Sequence, residues 1–254
     1  MYRPTGAALA SIDAAWVFRG WKRDPAAPPG ENMRTVVEID GTDFLIDGAK
    51  TYPGRVHEGR RIEGLLMNSR MVQAIFDDEC AETRGCWAYP DTGVWDPQRN
   101  TDEFCRALPE YRRHGLLAVT VGLQGGGSIY TQPVYERYLN SAFQPDGSLK
   151  PPYFQRLRQV LAAADAVGMV VIVNYFYWRQ ERFESDAAVR RATELATQWL
   201  LESGFRNIVV DLKNEVQAGE GLLRSGGIHY LLEIVRGCTL NGRRLLVGTS
   251  THPR

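Results

Sequence analysis

The sequence predicts an α/β fold of the (β/α) TIM-barrel type, incomplete at about five of eight barrel strands, with an N-terminal β-hairpin. Three observations predict it. Short runs rich in β-branched residues, such as Ile208-Val209-Val210, alternate with longer segments of helical periodicity. The strand runs are continuously apolar, as parallel strands covered on both faces are. Polar residues gather where these runs end, at the carboxyl ends of strands, the face on which barrels keep their chemistry.

Residues 1 to 33 include the proline-rich stretch Arg23 to Asn32 and read as a loosely ordered N-terminal arm, leaving 34 to 254 as the partial barrel domain. From Arg34 the pattern alternates in period two around Asp40-Gly41, a β-hairpin that would cap the bottom of a barrel. Five strands are then expected at Ile62 to Met67, Leu116 to Val121, Met169 to Tyr175, Ile208 to Leu212 and Leu245 to Thr249. Helices are expected between them at Thr101 to Arg113, Tyr153 to Val167, Glu184 to Glu202 and Ile228 to Val235. In the third of these, Ala188, Ala192, Leu195 and Trp199 form an apolar stripe opposite Arg190, Arg191 and Glu194, which marks a barrel cover with a solvated outer face. A closed barrel needs eight strands, so three are unaccounted for, and the reading is of a longer gene product truncated after the fifth.

Composition narrows the function classes. Thirty basic residues balance thirty acidic ones in 254, a formal net charge of zero that gives no footprint for nucleic acid or an anionic membrane surface. No apolar run reaches the roughly 18 residues that span a bilayer. Asp13 interrupts the weakly apolar Ala7 to Val17 stretch, so no clear signal peptide is read. The expected location is cytoplasmic as given, or secreted if the N-terminus is incomplete. Cys80, Cys86, Cys105 and Cys238 show no Cys-x-x-Cys spacing; they read as free thiols, with Cys105 and Cys238 inside helices, the alternative being a Cys80–Cys86 pair across a loop in an exported protein, and neither metal nor cofactor is expected. Gly125-Gly126-Gly127 follows the second strand but lacks the Lys-Ser/Thr that completes a P-loop.

The segment Asn207 to Glu215 carries the most chemistry. It reads as a buried strand that delivers Asn214-Glu215 at its carboxyl end, where Glu215 would face a mouth; the bland alternative is a solvated Glu in a strand-to-helix loop. Asp211, four residues earlier, reads as too deep along the strand to act with it, and Glu220 as unconstrained in the following loop.

Four runs together carry a family resemblance: Ile62 to Val72, Trp87 to Asn100, Asp146 to Lys150, and the strand end Asn214-Glu215. From about residue 40 onward the chain resembles bacterial cellulase-like proteins, which are similar to glycoside hydrolase family 5 and the wider clan of (β/α)8 retaining glycosidases. The resemblance implies hydrolysis of O-glycosidic bonds, with Glu215 as general acid/base and Asn214 bonded to the sugar 2-hydroxyl. It also implies a nucleophilic Glu after a seventh strand, which these residues do not contain. Retaining cleavage needs that second carboxylate about 5 Å from the first. The competing expectation is therefore a catalytically inactive carbohydrate-binding or scaffold barrel. Open barrel edges would in either case favour self-association.

Further substrate contacts are expected at the strand ends. Trp87, Tyr89 and Trp95 follow the first strand and Tyr177 and Trp178 the third, where flat rings can stack on sugars; packing of the loops is the alternative. Asn68 and Arg70 end the first strand, the Arg placed to hold a carboxylate ionised or to make a helix-start salt bridge. Gln124 and Asn174 end the second and third strands as candidate hydroxyl partners. His252, third from the end of the sequence, reads as disordered more readily than as catalytic.

Overall fold

The computed structural model describes residues 34–127, 137–178 and 180–250. The expected arm at 1 to 33 and His252 lie outside the described residues.

The first elements are small antiparallel ribbons. Strands β1 (Val37–Asp40) and β2 (Asp43–Ile46) pair as a hairpin with Asp40 opposite Asp43, so the turn is the two residues Gly41 and Thr42. Gly41 has φ +60°, as a hairpin turn with glycine at its first central position requires. A third strand, β3 (Ala49–Lys50), continues the meander across Asp47-Gly48, where both residues have positive φ. Asp-Gly is the sequence that such a turn selects, and it was legible although the third strand was not expected. A two-stranded ribbon follows, β4 (Val56–His57) with β5 (Arg60–Arg61).

The principal sheet has five parallel strands: β6 (Asn68–Arg70), β7 (Ala118–Gly122), β8 (Val170–Phe176), β9 (Ile208–Lys213) and β10 (Leu246–Gly248). They neighbour one another in strict chain order, and every pair is parallel. A doubly wound sheet reverses its strand order at a switch point; this one does not. With right-handed crossovers, sequential order puts all connecting helices on one face and leaves the other face to curl inward. This is the arrangement of a (β/α) barrel, present here as five of its strands.

The first barrel strand corrects one expectation. It is Asn68–Arg70, not Ile62 to Met67, because residues 61 to 64 are bonded to the two antiparallel ribbons that precede it. Arg61 is paired with Asp43, Gly64 N–H donates to Thr51 and Gly64 accepts from Phe44. Gly64 is at φ +83°, and a Cβ there would meet Asp43 Oδ1 at 2.3 Å, so the apolar run is bent into a turn before it can extend.

Short helix α1 (Ala81–Arg84) sits in the loop after β6. The long crossovers are α2 (Pro97–Arg113), α3 (Pro151–Ala166), α4 (Asp186–Glu202) and α5 (Ile228–Gly237). Helix α2 starts four residues before the expected Thr101, because the Asp96 side chain accepts from Gln98 and Arg99 N–H and Pro97 occupies the first turn. Cys105 lies in α2, whereas Cys238 follows the end of α5; all four cysteines are free thiols. The outward residues of the sheet, including Val119, Val121, Val171, Val173, Ile208 and Val210, are buried with helix residues Leu157, Leu161, Ala192, Trp199 and Leu231 in one core.

The inner face is organised differently. Toward the amino ends of the strands, Val37, Phe44, Ile46 and Leu66 pack on Ala118, Val170, Ile172, Val209 and Leu246. The meander thus plugs the bottom of the barrel segment, as the hairpin pattern led one to expect. Asp165 at the end of α3 fastens it there by accepting from the Arg34 and Thr35 N–H groups, at 3.1 and 2.9 Å. The upper part of the inner face is left open, and that opening is the candidate site.

Candidate functional site

Strand register builds the site. One row across the inner face reads Gly122, Asn174, Asp211, Gly248, each paired with the next. Below it runs Arg70, Thr120, Ile172, Val209, Leu246. Gly248 at one end of the upper row leaves side-chain space empty, beside a cavity of about 370 Å³ lined by Asn68, Arg70, Asn174, Asp211, Asn214 and Ser250 among others. A Cβ on Gly248 would meet nothing within 4 Å.

Asp211 is the carboxylic acid of this cavity. Burial pushes its pKa up from 3.8 to about 6, against the opposing pull of the Asn174 amide, the Ser250 N–H and the charge of Arg70. Asn174 Nδ2 donates to Asp211 Oδ2 at 3.1 Å and to the Asp211 carbonyl at 3.2 Å. This leaves Asn174 Oδ1 buried with no hydrogen-bond partner, on a residue only 1 % exposed that lines the cavity. An orphaned buried acceptor of this kind calls for a donor from water or a ligand.

Asp211 was expected to lie too deep to matter, and the register shows why it does not. Strand β10 ends at Gly248, directly opposite Asp211, and β9 itself ends only two residues later. The alternation of Val209, Asp211 and Lys213 along one face was the signal available in the sequence.

Asn214 and Glu215 follow β9, as the sequence led one to expect. Asn214 is buried and lines the cavity. Glu215 is exposed and is not among the cavity-lining residues; its backbone φ is +52°, and its N–H donates to Ser250 Oγ at 3.0 Å. A non-glycine residue in the left-handed region is costly unless its surroundings hold it. Lys213, two residues before Glu215, is fully buried and ion-paired with Glu181, whose second oxygen lies 3.6 Å from Arg224. Breaking that pair would strand a buried charge, so it anchors the end of β9 firmly.

The remaining candidates divide sharply. Asn68 and Arg70 are within β6 and line the cavity, with Asn68 Oδ1 accepting from Thr120 at 2.7 Å. The Arg70 guanidinium lies 5.6 Å from the centre of the Tyr177 ring, which places Tyr177 beside it at the carboxyl end of β8. Trp178 is half-buried in the same loop. Trp87, Tyr89 and Trp95 instead pack a loop: Trp87 and Trp95 meet Phe76 edge-on at 5.0 and 5.7 Å, and Tyr89 stacks on Trp95. Trp87 donates to Asp78 Oδ2 at 2.7 Å, and Tyr89 donates to Glu103. None of the three lines the cavity.

Gln124 is also taken up by the fold. It is 1 % exposed, its amide donates to Ser141 Oγ and the Gln180 carbonyl, and its oxygen accepts from Tyr177 N–H. No donor is left for a sugar hydroxyl. The three glycines beside it serve close approach: a Cβ on Gly125 would strike the Tyr177 ring at 2.5 Å, and one on Gly127 the Tyr138 ring at 2.4 Å. Gly125 N–H already donates to the Asn140 carbonyl, so the segment is a packed corner and not a phosphate cradle.

A larger depression of about 790 Å³ lies at the opposite end, between the meander and residues Arg112 to Leu117. Its lining holds no carboxyl group raised by burial and no orphaned buried polar atom, so the smaller cavity is the candidate site. Among the described residues, no group of three or more His, Cys, Asp or Glu side chains is placed to hold a metal ion.

No protein-family model matches the sequence, and no curated protein matches it. Among solved structures, the chain is similar to a glycoside hydrolase family 5 enzyme from Prevotella bryantii B14, at 9% identity and a TM-score of 0.48, over 71% of this chain and 53% of that one. It is also similar to a GH5-4 broad specificity endoglucanase from an uncultured bovine rumen ciliate, at 14% identity and a TM-score of 0.42, over 70% and 50%. At these identities the likeness is one of fold, and the chain spans about half the length of the two enzymes.

Proposed function

We propose that the chain is the sugar-binding, proton-donating part of a glycoside hydrolase that cleaves O-glycosidic bonds with a retaining mechanism. In this reading Glu215 is the general acid/base and Asn214 bonds a sugar hydroxyl beside the scissile linkage. The nucleophile is a second carboxylate that the family resemblance puts after a seventh strand, so the activity proposed is that of the whole enzyme.

The observation that carries the reading is the polar lining of the inner-face cavity at the strands' carboxyl ends. Asn174 Oδ1 offers an unmet acceptor, Asp211 a carboxyl group, and Arg70 and Asn214 donors, all against the apolar floor of Ile172 and Val209. A sugar ring matches this set, since each hydroxyl both donates and accepts while the ring's C–H groups rest on apolar surface. Tyr177, beside Arg70, is in this reading a platform at the rim.

One observation favours a second reading, a sugar-binding barrel without turnover: the carboxyl group inside the cavity is Asp211, and Glu215 lies outside its lining. A panel of aryl glycosides, tested on the whole enzyme that carries the second carboxylate, separates the two. Hydrolysis that Glu215→Gln abolishes supports the first reading, by the roughly 10²- to 10⁴-fold that a general acid contributes. Turnover unchanged in that variant contradicts it, and sugar affinity with no turnover in either protein supports the second.

A further inference from the structure

Ser250, just past β10, is tied at every polar atom to the segment that ends β9. Its N–H donates to Asp211 Oδ1 at 3.2 Å, its hydroxyl donates to the Lys213 carbonyl at 3.2 Å and accepts from Glu215 N–H at 3.0 Å, and its carbonyl accepts from Val216 N–H at 2.9 Å. Thr249 adds a bond from its hydroxyl to the same Lys213 carbonyl at 3.0 Å. The strained residue in this loop, Glu215 at φ +52°, is therefore held by the Ser250 hydroxyl, on a residue whose backbone N–H is held by Asp211. A left-handed glutamate held from the neighbouring strand is the arrangement expected where surroundings over-determine a costly conformation.

We infer that Asp211 and Ser250 are positioning residues for the Asn214-Glu215 pair: Asp211 fixes the Ser250 peptide, and Ser250 fixes the Glu215 and Val216 N–H groups. The inference rests on the reading of Glu215 as the proton donor for its catalytic meaning, but the relay itself is structural. It is also pH-sensitive. Arg70, from β6, is the charged side chain of the cavity that faces Asp211; β7 contributes Thr120, β8 contributes Asn174, β10 contributes Gly248, and the loop contributes Asn214. Ionised, Asp211 accepts from Ser250 at one oxygen and from Asn174 at the other. When the oxygen facing Asn174 takes a proton it becomes a donor, for which the unmet Asn174 Oδ1 is the matching acceptor once that amide turns over. Protonation thus rearranges the partner that steadies Asp211, and through it Ser250.

The test follows backbone amides of the ¹⁵N-labelled chain through a pH titration. In the wild type the Ser250 and Glu215 amides should titrate together with a midpoint near 6. Asp211→Asn should remove that midpoint from both. Ser250→Ala keeps the N–H that faces Asp211 but lacks the hydroxyl, so the amide at 250 should still titrate while Glu215 no longer does; Ser250→Thr should restore the coupling. Independent midpoints at the two amides, or a Glu215 amide that titrates unchanged in Ser250→Ala, overturn the relay. In the whole enzyme Ser250→Ala should lower kcat roughly 10- to 100-fold with little change in KM, as misplacement of a reacting group does. A relay seen by amide titration alongside full activity of Glu215→Gln would refute the proton-donor reading and leave the relay standing.

Discussion

Asp211 is the residue on which most of the chemistry turns, and its perturbed carboxyl has a thermodynamic signature. A carboxyl whose pKa is raised on folding, here from 3.8 to about 6, binds its proton more tightly folded than unfolded. The folded state therefore loses stability as pH rises from about 4 to 6, and the loss is complete above that window. The shift corresponds to roughly 2 to 3 kcal/mol. Other carboxylates slope the opposite way: Asp43 is held below its ordinary value by Lys50 and Arg61, and Glu63 by the Gly54 N–H and Arg61. The clean quantity is thus the difference between wild type and Asp211→Asn, measured by chemical unfolding at pH 4 and pH 7. Wild type should lose that 2 to 3 kcal/mol relative to the variant between the two; a difference independent of pH would show that Asp211 is not desolvated as described.

Among the elements, legibility followed burial. Strands β8 and β9 and helices α3 and α4 were legible because residues such as Val171, Val173, Ile208 and Val210 are apolar on positions covered by helices, and stripes such as Leu157, Leu161 and Ala164 repeat at helical spacing. Strand β6 was not, because its three residues, Asn68, Ser69 and Arg70, are all polar, two of them facing the cavity, and no local pattern distinguishes them from a loop. At the site the same logic holds. Asn214-Glu215 was legible as a strand end, and Arg70, Asn68 and Asn174 as polar strand-end residues. The aromatic loop misled because Trp87 and Trp95 are as well suited to packing on Phe76 as to stacking on sugar, a choice made by tertiary contacts alone. Ser250 carried no signal at all, since its role depends on contacts 35 to 39 residues away. The glycine that opens the cavity offers an element-scale test. Gly248→Val suits a strand, its Cβ meets no neighbouring atom, and it adds bulk at a position that lines the cavity. Sugar affinity should fall about tenfold or more while the thermal midpoint moves by less than about 4 °C. Retained affinity would place the sugar elsewhere.

For the molecule as a whole, the argument rests on topology. Five parallel strands in chain order, helices on one face and a meander plugging the bottom leave a polar opening on the inner face at the end where barrel sites form. Strands β6 and β10 are the sheet's edges among the described residues, and pairing through them is the self-association we propose for the isolated chain. The most direct measurement of the central claim is a titration of the ¹⁵N-labelled chain with β-glucan oligosaccharides, the first sugars to try given the cellulase-like resemblance. The account predicts saturable shifts at Asn174, Asp211, Asn214 and Gly248, around one cavity on the inner face. Shifts confined to the Trp87 and Trp95 loop, or none at the cavity at any sugar concentration, would contradict it.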